Sequence, residues 1–255
     1  MDLSVILVTH NSEKFILPCL DSIIKATHGT HNEILIIDNH STDRTKDLCK
    51  RLQYPMTLIE NGENQGFAKA VNIGLRKSCG EFRLLINPDV ILQSKSLNPI
   101  LDFMRIHPTA GICGCRLLNE DGSLQHSKGS FPTLFSTIYR VILPRRVRKY
   151  HLWGYGKAGR CDWVTGAFML LRSSMIRAVG LLDENYFMYY EDVDLCLQAR
   201  KAGWQTYYYP EVAGFHLTPH AVSDKGIEIE TQIRKSRRHY FRKNVFVPSY
   251  RKTRI

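Results

Sequence analysis

Phe82-Arg83-Leu84-Leu85-Ile86-Asn87-Pro88-Asp89 decides how this chain folds: an apolar run stops abruptly, and the stop carries a carboxylate. Two earlier stretches repeat the pattern. Ser4-Val5-Ile6-Leu7-Val8-Thr9 runs into His10-Asn11, and Glu33-Ile34-Leu35-Ile36-Ile37-Asp38 runs into Asn39. Apolar runs without alternation mark strands covered on both faces, as in parallel sheets. Between them, Phe15 to Ala26, Thr42 to Leu52 and Phe67 to Lys77 carry apolar residues at helical spacing. This order predicts an α/β fold with a Rossmann-like, mostly parallel central sheet and helices on both faces. Ligands of such sheets gather at the carboxyl ends of the strands, where all three polar stops fall.

The second half is less regular. Asn119-Glu120-Asp121-Gly122 is a turn signal between two short extended pieces. Residues 127–160 read as a long loop with a short helix around Leu134 to Ile142. Cys161 to Leu171 reads as a strand, and Asp192 to Ala202 as a helix ending at Gly203. Trp204 to Tyr209 and Val212 to Leu217 read as short strands, and Glu228 to Phe241 as a helix before a fraying tail.

With 255 residues, 44% hydrophobic and 23% charged, the composition is that of a soluble globular protein of one large domain or two joined halves. No apolar run approaches the ~18 residues of a spanning helix. Leu3 to Val8 is too short for a signal-peptide core and follows an acidic Asp2. Seven scattered cysteines without a CxxC pair disfavour a zinc site or disulfide framework and favour a reducing cytosol. The net charge of +11 is uneven: ten Lys or Arg stand against two Glu from Lys225 to Ile255. A second, acid-free stretch holds Arg140, Arg145, Arg146, Arg148, Lys149, Lys157 and Arg160. Such clusters suit anionic partners (phosphates, lipid heads, nucleic acid) or form a solvated face.

Each candidate motif has a functional and a purely structural reading. Asp38 can accept a base N–H, whereas Ser41 or Thr42 with Asp43 suits helix capping. Gly66, Ala68, Ala70 and Gly74 allow close approach to a ligand or, more simply, tight helix–sheet packing. Neither a Walker loop nor GxGxxG is present. Asp89 suits a hard divalent cation shared with substrate phosphates, or a strand-end turn. His216 ends an apolar stretch, where it can complete a metal site or sit in the core. Glu191-Asp192-Val193-Asp194 opens a helix, where acids complement the dipole. Before it, Phe187-Met188-Tyr189-Tyr190 can exclude water, raise a carboxylate pKa and stack on a sugar.

An ordered set of motifs now points to a family: Ser4 to Asn11, Ile36 to Asn39, Glu63 to Ala68 with Asn72 and Gly74, Leu85 to Asp89, Thr165 to Met169, Leu182 to Glu184, and Tyr190 to Leu195. Over about residues 3–217 the chain resembles the family 2 glycosyltransferases of GT-A fold, particularly their rhamnosyltransferase-like branch. The resemblance implies inverting transfer of one sugar, dTDP-rhamnose or a UDP-sugar being the donor, to a polysaccharide or lipid-linked glycan. It implies a nucleotide-sugar site at Thr9, His10, Asn11, Asp38, Asn39, Gly66, Phe67, Asn72, Asn87 and Asp89. It further implies a divalent cation (Mn²⁺ or Mg²⁺) on Asp89 and His216, Asp192 as base with Glu191 beside it, and acceptor contacts at Trp163, Gly166, Tyr189 and Tyr190. The expected division is a catalytic domain at 1–220, split into a nucleotide-sugar half (1–118) and a smaller, mixed acceptor-side half (119–220). A basic helix and tail at 221–255 follow.

Two departures stand out. Asn87 replaces the first acid of the family's Asp-x-Asp motif, leaving one carboxylate for the metal. The Gln-x-x-Arg-Trp motif of processive members is missing, which favours a single addition. A sugar-nucleotide-binding homologue without activity and a nucleic-acid-binding protein are the rivals; no nucleic-acid motif is present. The expected location is cytoplasmic, at the inner membrane face, held by the basic clusters with Tyr139, Tyr150, Trp153 and Tyr155 in the headgroups.

Overall fold

The computed structural model describes residues 1–132, 154–218 and 226–244. In chain order the elements are β1 (Leu3–Thr9), α1 (Ile16–Ala26), β2 (Asn32–Asp38), α2 (Thr45–Arg51), β3 (Thr57–Glu60), α3 (Phe67–Lys77) and β4 (Phe82–Ile86). They continue with β5 (Val90–Leu92), α4 (Asn98–Ile106), β6 (Ala110–Leu118), β7 (Lys128–Gly129), β8 (Gly159–Cys161), β9 (Trp163–Val164) and β10 (Phe168–Arg172). Last come α5 (Ser173–Val179), α6 (Glu191–Lys201), β11 (Gln205–His216) and α7 (Gly226–Asn244).

The sheet runs β3-β2-β1-β4-β10-β6-β11-β5, with β8 also on β11. β1, β2, β3 and β4 are parallel, β10 is antiparallel to both β4 and β6, and β11 is parallel to β6. Both faces are covered, as the unalternating apolar runs require. Leu3, Val5 and Leu7 join Ile34, Ile36, Phe82 and Leu84 with α1 and α4 on one face. Ile6, Leu35, Ile37 and Leu85 join residues of α3, α5, α6 and α7 on the other. On α3 the small residues serve packing: a Cβ on Gly74 would lie 2.5 Å from Ile6 Cγ2.

Several expected elements change in detail. Cys161 to Leu171 is not one strand; Asp162 and Thr165-Gly166-Ala167 interrupt it into β8, β9 and β10. Conversely, the two strands expected around 204–217 are one, because β11 continues through a register shift between Tyr209 and Ala213. Pro210 lies inside that shift, where its missing N–H costs no ladder bond. α2 begins at Thr45, and Asp43 rather than Ser41 receives its first amide: Asp43 Oδ1 accepts from Thr45 N at 3.0 Å. Ser41 Oγ instead accepts from Asn11 N at 3.0 Å.

The helix expected around Leu134 to Ile142, Tyr139, Tyr150, Trp153 and the chain beyond Asn244 lie outside the described residues. Tyr155 does not fit the anchoring expected of it. It is buried, and its hydroxyl accepts from the amides of Ser127 and Lys128 at 3.0 and 3.1 Å. Among the described residues no helix is long and apolar enough to cross a membrane.

α7 packs as an integral element. Tyr240 and Phe241 are buried, and Ser236 Oγ donates to the Met188 carbonyl at 2.7 Å. Lys243 Nζ lies 2.8 Å from Asp183 Oδ2 and 2.6 Å from Asp194 Oδ2. These contacts leave Arg234, Lys235, Arg238 and Arg242 on the exposed side.

Candidate active site

The ends of β1, β2 and β4 meet at one edge of the sheet. Thr9 pairs with Asp38 in register, and Thr9 Oγ1 donates to Asp38 Oδ1 at 3.1 Å. Asp38 Oδ2 accepts from Ser41 N at 2.9 Å, so the carboxylate is buried but each oxygen keeps a lone pair for a donor. Asn11 and His40 hold left-handed backbone (φ 50° and 66°), which turns both loops sharply at the strand ends. His10 Nδ1 bonds the Asn39 carbonyl at 2.9 Å, with its ring otherwise exposed.

Two residues expected on the nucleotide sugar have their side-chain amides committed inside the protein. Asn39 Nδ2 donates to Asn64 Oδ1 and the Gly66 carbonyl, and its Oδ1 accepts from Asn61 Nδ2 and Gln65 N. Asn39 therefore shapes the 61–66 loop. Asn72 Nδ2 donates to the Leu182 carbonyl at 2.8 Å and Glu184 Oε1 at 3.0 Å, while its Oδ1 accepts from Leu182 N. It clamps the segment leading to α6. Gly66 (φ +84°) sits against the aromatic loop, where a Cβ would stand 2.5 Å from the Phe187 carbonyl oxygen. Phe67 N donates to that carbonyl at 2.6 Å.

After β4, Asp89 is buried with His216, the last residue of β11, which pairs with Val90. Asp89 Oδ1 lies 3.4 Å from His216 Nε2, and Asp89 Oδ2 accepts from the Thr218 hydroxyl. Burial pushes the Asp89 carboxyl up, but the His216 imidazole and the Thr218 hydroxyl outweigh it and hold the pKa below the ordinary value. On its far side His216 Nδ1 bonds Gln125 Oε1 at 2.7 Å. Among the described residues no three His, Cys, Asp or Glu side chains converge as a metal cage. A buried carboxylate facing an imidazole nitrogen still fits a Mn²⁺ or Mg²⁺ ion whose other positions come from phosphate oxygens and water.

The second acidic cluster opens α6. Asp192 Oδ2 accepts from Gly166 N at 3.0 Å and Oδ1 from Val193 N at 2.7 Å. Burial raises the Asp192 pKa above the ordinary carboxyl value, and these two amides oppose the rise. Glu191 is pushed much further, first by burial and then by the Asp192 charge, and its Oε2 has no hydrogen-bond partner among the described residues. Two adjacent carboxyls do not ionise together readily, so the negative charge settles on Asp192, which accepts from the amides of Gly166 and Val193 as well as its own, whereas Glu191 has only its own. Such a carboxylate is suited to accept a proton.

Tyr189 and Tyr190 precede it in left-handed backbone, φ 70° and 71°. Bulky residues rarely adopt this conformation, and here Phe67 N and Ser236 Oγ grip the carbonyls of Phe187 and Met188 just before them. Phe187 and Met188 are the exposed part of the loop. Trp163 lies on β9, where its indole N–H donates to the Ser130 carbonyl at 3.0 Å and its ring covers Gly129.

One backbone junction links the two acids. Asn87 N donates to the Ala167 carbonyl at 3.0 Å, and the neighbouring Gly166 N donates to Asp192. The β4 stop with Asp89 and the start of α6 with Asp192 thus flank the same β4–β10 edge. The sequence singles out both acids and His216, but not Gln125 and Thr218, which the structure places against His216 and Asp89. Thr218 was visible as the hydroxyl two residues beyond His216; Gln125 follows a turn whose fold contact 91 residues away has no local signature.

The glycosyl transferase family 2 model matches residues 4–174. The chain belongs to that family. It is 30% identical over 238 residues to the N-acetylglucosaminyl-diphospho-decaprenol L-rhamnosyltransferase of Mycobacterium tuberculosis, covering 86% of this chain and 77% of the relative. It is 28% identical over 224 residues to the rhamnosyltransferase WbbL of Escherichia coli K12, covering 85% and 83%. The mannosyltransferase PcManGT of Pyrobaculum calidifontis, solved with GDP-Man and Mn²⁺, superposes with a TM-score of 0.65 at 17% identity, over 94% of this chain and 64% of that one. S. aureus TarS with UDP-GlcNAc gives 0.59 at 19% identity, over 92% and 66%. The shared architecture is the GT-A fold, and this family 2 member is a glycosyltransferase.

Proposed function

We propose that this chain is an inverting, single-addition rhamnosyltransferase, moving rhamnose from dTDP-rhamnose to a hydroxyl of a lipid-linked glycan. The observation that carries the reading is the junction at Asn87, Ala167 and Gly166, which sets a cation-suited pair and a base-suited carboxylate on two sides of one strand edge. The two rhamnosyltransferase relatives, each matched over most of its length, support the sugar.

Asp38, with Thr9, His10 and Asn11 around it, holds the nucleoside; Asn39, Gly66 and Asn72 act by shaping that side. Asp89 and His216, with Asn87 beside them, would hold a divalent cation. The cation would neutralise the leaving group's charge, as a Lewis acid does for phosphoryl oxygens. Asp192 accepts the proton of the acceptor hydroxyl as its oxygen attacks the anomeric carbon from the face opposite the diphosphate. The sugar–oxygen bond to the diphosphate breaks as the new glycosidic bond forms. Tyr189, Tyr190, Trp163 and Gly166 line the acceptor side. The exposed basic residues of α7 hold the enzyme at an anionic leaflet, where a lipid-linked acceptor would lie.

The test is a panel of nucleotide sugars (dTDP-rhamnose, UDP-GlcNAc, GDP-mannose) assayed for turnover with a polyprenyl-diphosphate-linked sugar as acceptor. Selective turnover of dTDP-rhamnose is expected. Binding without turnover of any donor would identify an inactive sugar-nucleotide-binding homologue instead.

A further inference from the structure

The turn between β6 and the strand pair β7–β9 connects to His216 through an unbroken chain of hydrogen bonds, and one end of that chain has fixed polarity. Asp121, as a carboxylate, can only accept. Ser123 Oγ lies 2.5 Å from Asp121 Oδ1 and therefore gives its hydroxyl proton to it. The Ser123 oxygen is then free to accept from Asn119 Nδ2, at 2.9 Å. That fixes the Asn119 amide with its Oδ1 outward, accepting from Gln125 Nε2 at 3.0 Å. Gln125 in turn presents Oε1 to His216 Nδ1 at 2.7 Å, so Nδ1 must carry a proton. In the neutral ring the lone pair is left on Nε2, which faces Asp89 Oδ1 at 3.4 Å. Two acceptors set face to face in a buried site call for a cation between them, either a proton on Nε2, the form that lowers the Asp89 pKa, or a divalent ion that displaces it.

We propose that Asn119 and Gln125 are positioning residues that fix the tautomer of His216, so that the neutral ring offers its Nε2 lone pair, with Asp89, to a divalent cation. The proposal rests on the cation reading given above for its purpose, but the tautomer can be checked without any metal. Gly122 (φ +79°) closes the turn, and the backbone bonds from Asn119 N to Ser123 O and from Gly122 N to Asn119 O hold it independently of the Asn119 side chain. Substituting Asn119 therefore changes the polarity of the chain while leaving the turn in place. Without its Oδ1, the Gln125 amide keeps only the longer bond from Nε2 to the His216 carbonyl at 3.5 Å, and its rotation to offer N–H to His216 Nδ1 moves the ring proton to Nε2.

The experiment compares the full-length protein with Asn119→Leu and Gln125→Met. The first measurement is the ¹⁵N–¹H correlation of the His216 ring in metal-free protein, at a pH where the ring is neutral. The second is Mn²⁺ binding in the presence of dTDP, read from the loss of the free-ion electron paramagnetic resonance signal. In the wild type the proton should sit on Nδ1. In both variants the Nε2-protonated form should grow in, with Mn²⁺ affinity falling about 10- to 100-fold, as for other residues that orient a metal-bound histidine. Gln125→Glu, which keeps an acceptor on Nδ1, should restore the tautomer. A wild-type ring protonated on Nε2, or an Asn119→Leu ring unchanged from wild type, overturns the proposal whatever the metal does. A wild-type tautomer as expected, shifted by both variants, in a protein that binds no Mn²⁺ would support the tautomer assignment and overturn the cation reading instead.

Discussion

Lys243→Met tests whether α7 is part of the catalytic domain's foundation. Lys243 Nζ stands 2.8 Å from Asp183 and 2.6 Å from Asp194; the Asp194 side chain is 3% exposed, Asp183 15% and Lys243 32%. Removing one partner from a buried ion pair costs about 3–5 kcal/mol, because the other charge is left stranded. Lys243 is partly solvated, and Asp194 keeps bonds from Asn244 Nδ2 and Gln198 Nε2, so a cost of about 2–3 kcal/mol is expected. For a chain of this size that is a fall of roughly 5–10 °C in Tm.

The pH dependence follows from the directions of the shifts. Asp183 is held below its ordinary pKa: burial opposes this, and the Lys243 and His239 bonds prevail. Its contribution is present above the unfolded value of about 3.9 and is lost as pH falls through the folded value. Lys243 is raised, burial being outweighed by Asp183 and Asp194, so its contribution is present below about 10.4 and lost as pH rises through the folded value. The stability gap between wild type and variant should therefore be flat from roughly pH 5 to 10 and close under acid. Urea and thermal melts across that range supply the measurement, with Asp194→Asn in the Lys243→Met background expected to recover part of the loss. A loss under about 0.5 kcal/mol, the level of an ordinary surface change, would refute the argument that the clamp is structural.

Asp192→Asn should leave donor affinity intact and lower transfer by roughly a hundredfold or more, with Glu191→Gln costing less; near-normal turnover in Asp192→Asn would remove it as the base. Because the Asp192 pKa is raised by burial, kcat/KM should climb with pH on its acidic limb at values above those of an exposed aspartate, and that limb should vanish in Asp192→Asn. Asp89→Ala should weaken dTDP binding only when Mn²⁺ or Mg²⁺ is supplied, and excess EDTA should abolish transfer; full activity in EDTA would mean that cationic side chains carry the diphosphate. Gly66→Ala should destabilise by about 1–3 kcal/mol in thermal melts, since φ is +84° and the new methyl meets the Phe187 carbonyl. Anionic vesicles should retain the protein in dilute buffer and release it near 1 M salt, through Arg234, Lys235, Arg238 and Arg242 at about 1 kcal/mol each; equal partitioning onto neutral vesicles would point to a protein tether.

The parallel half of the sheet was legible because its strands are buried on both faces, and burial of that kind leaves unbroken apolar runs such as Val5 to Val8 and Ile34 to Ile37. α3 was read with its observed bounds, Phe67–Lys77, because Gly66 and Ser78 punctuate a clear periodicity. β6 was read only as a short extended piece before the turn at Asn119: Ala110-Gly111-Ile112-Cys113-Gly114-Cys115 is rich in small residues, and their smallness answers to neighbours far along the chain. A Cβ on Gly114 would lie 2.7 Å from Val164, and one on Gly111 2.7 Å from Met175. The acids of the site stood at strand and helix ends, where local pattern marks them. The bonds that occupy Asn39 and Asn72 are tertiary, and nothing in their own neighbourhoods distinguished a clamp from a ligand contact.

The interleaving of β10 and β11 has a consequence for biosynthesis. β10 inserts between β4 and β6, and β11 pairs with β6, β5 and β8, so the sheet's centre is completed by segments made after most of its other strands. A nascent chain that has emerged only as far as Leu118 carries β4 and β6 with no strand between them, each presenting unsatisfied amides and carbonyls. Such open edges recruit other strands, including those of a second nascent copy. His216 ends β11 and Asp192 opens α6, between β10 and β11, so the ribosome must release most of the chain before the candidate site can assemble. Folding of this enzyme should accordingly be slow, dominated by long-range pairing, and sensitive to chaperone supply when it is overproduced.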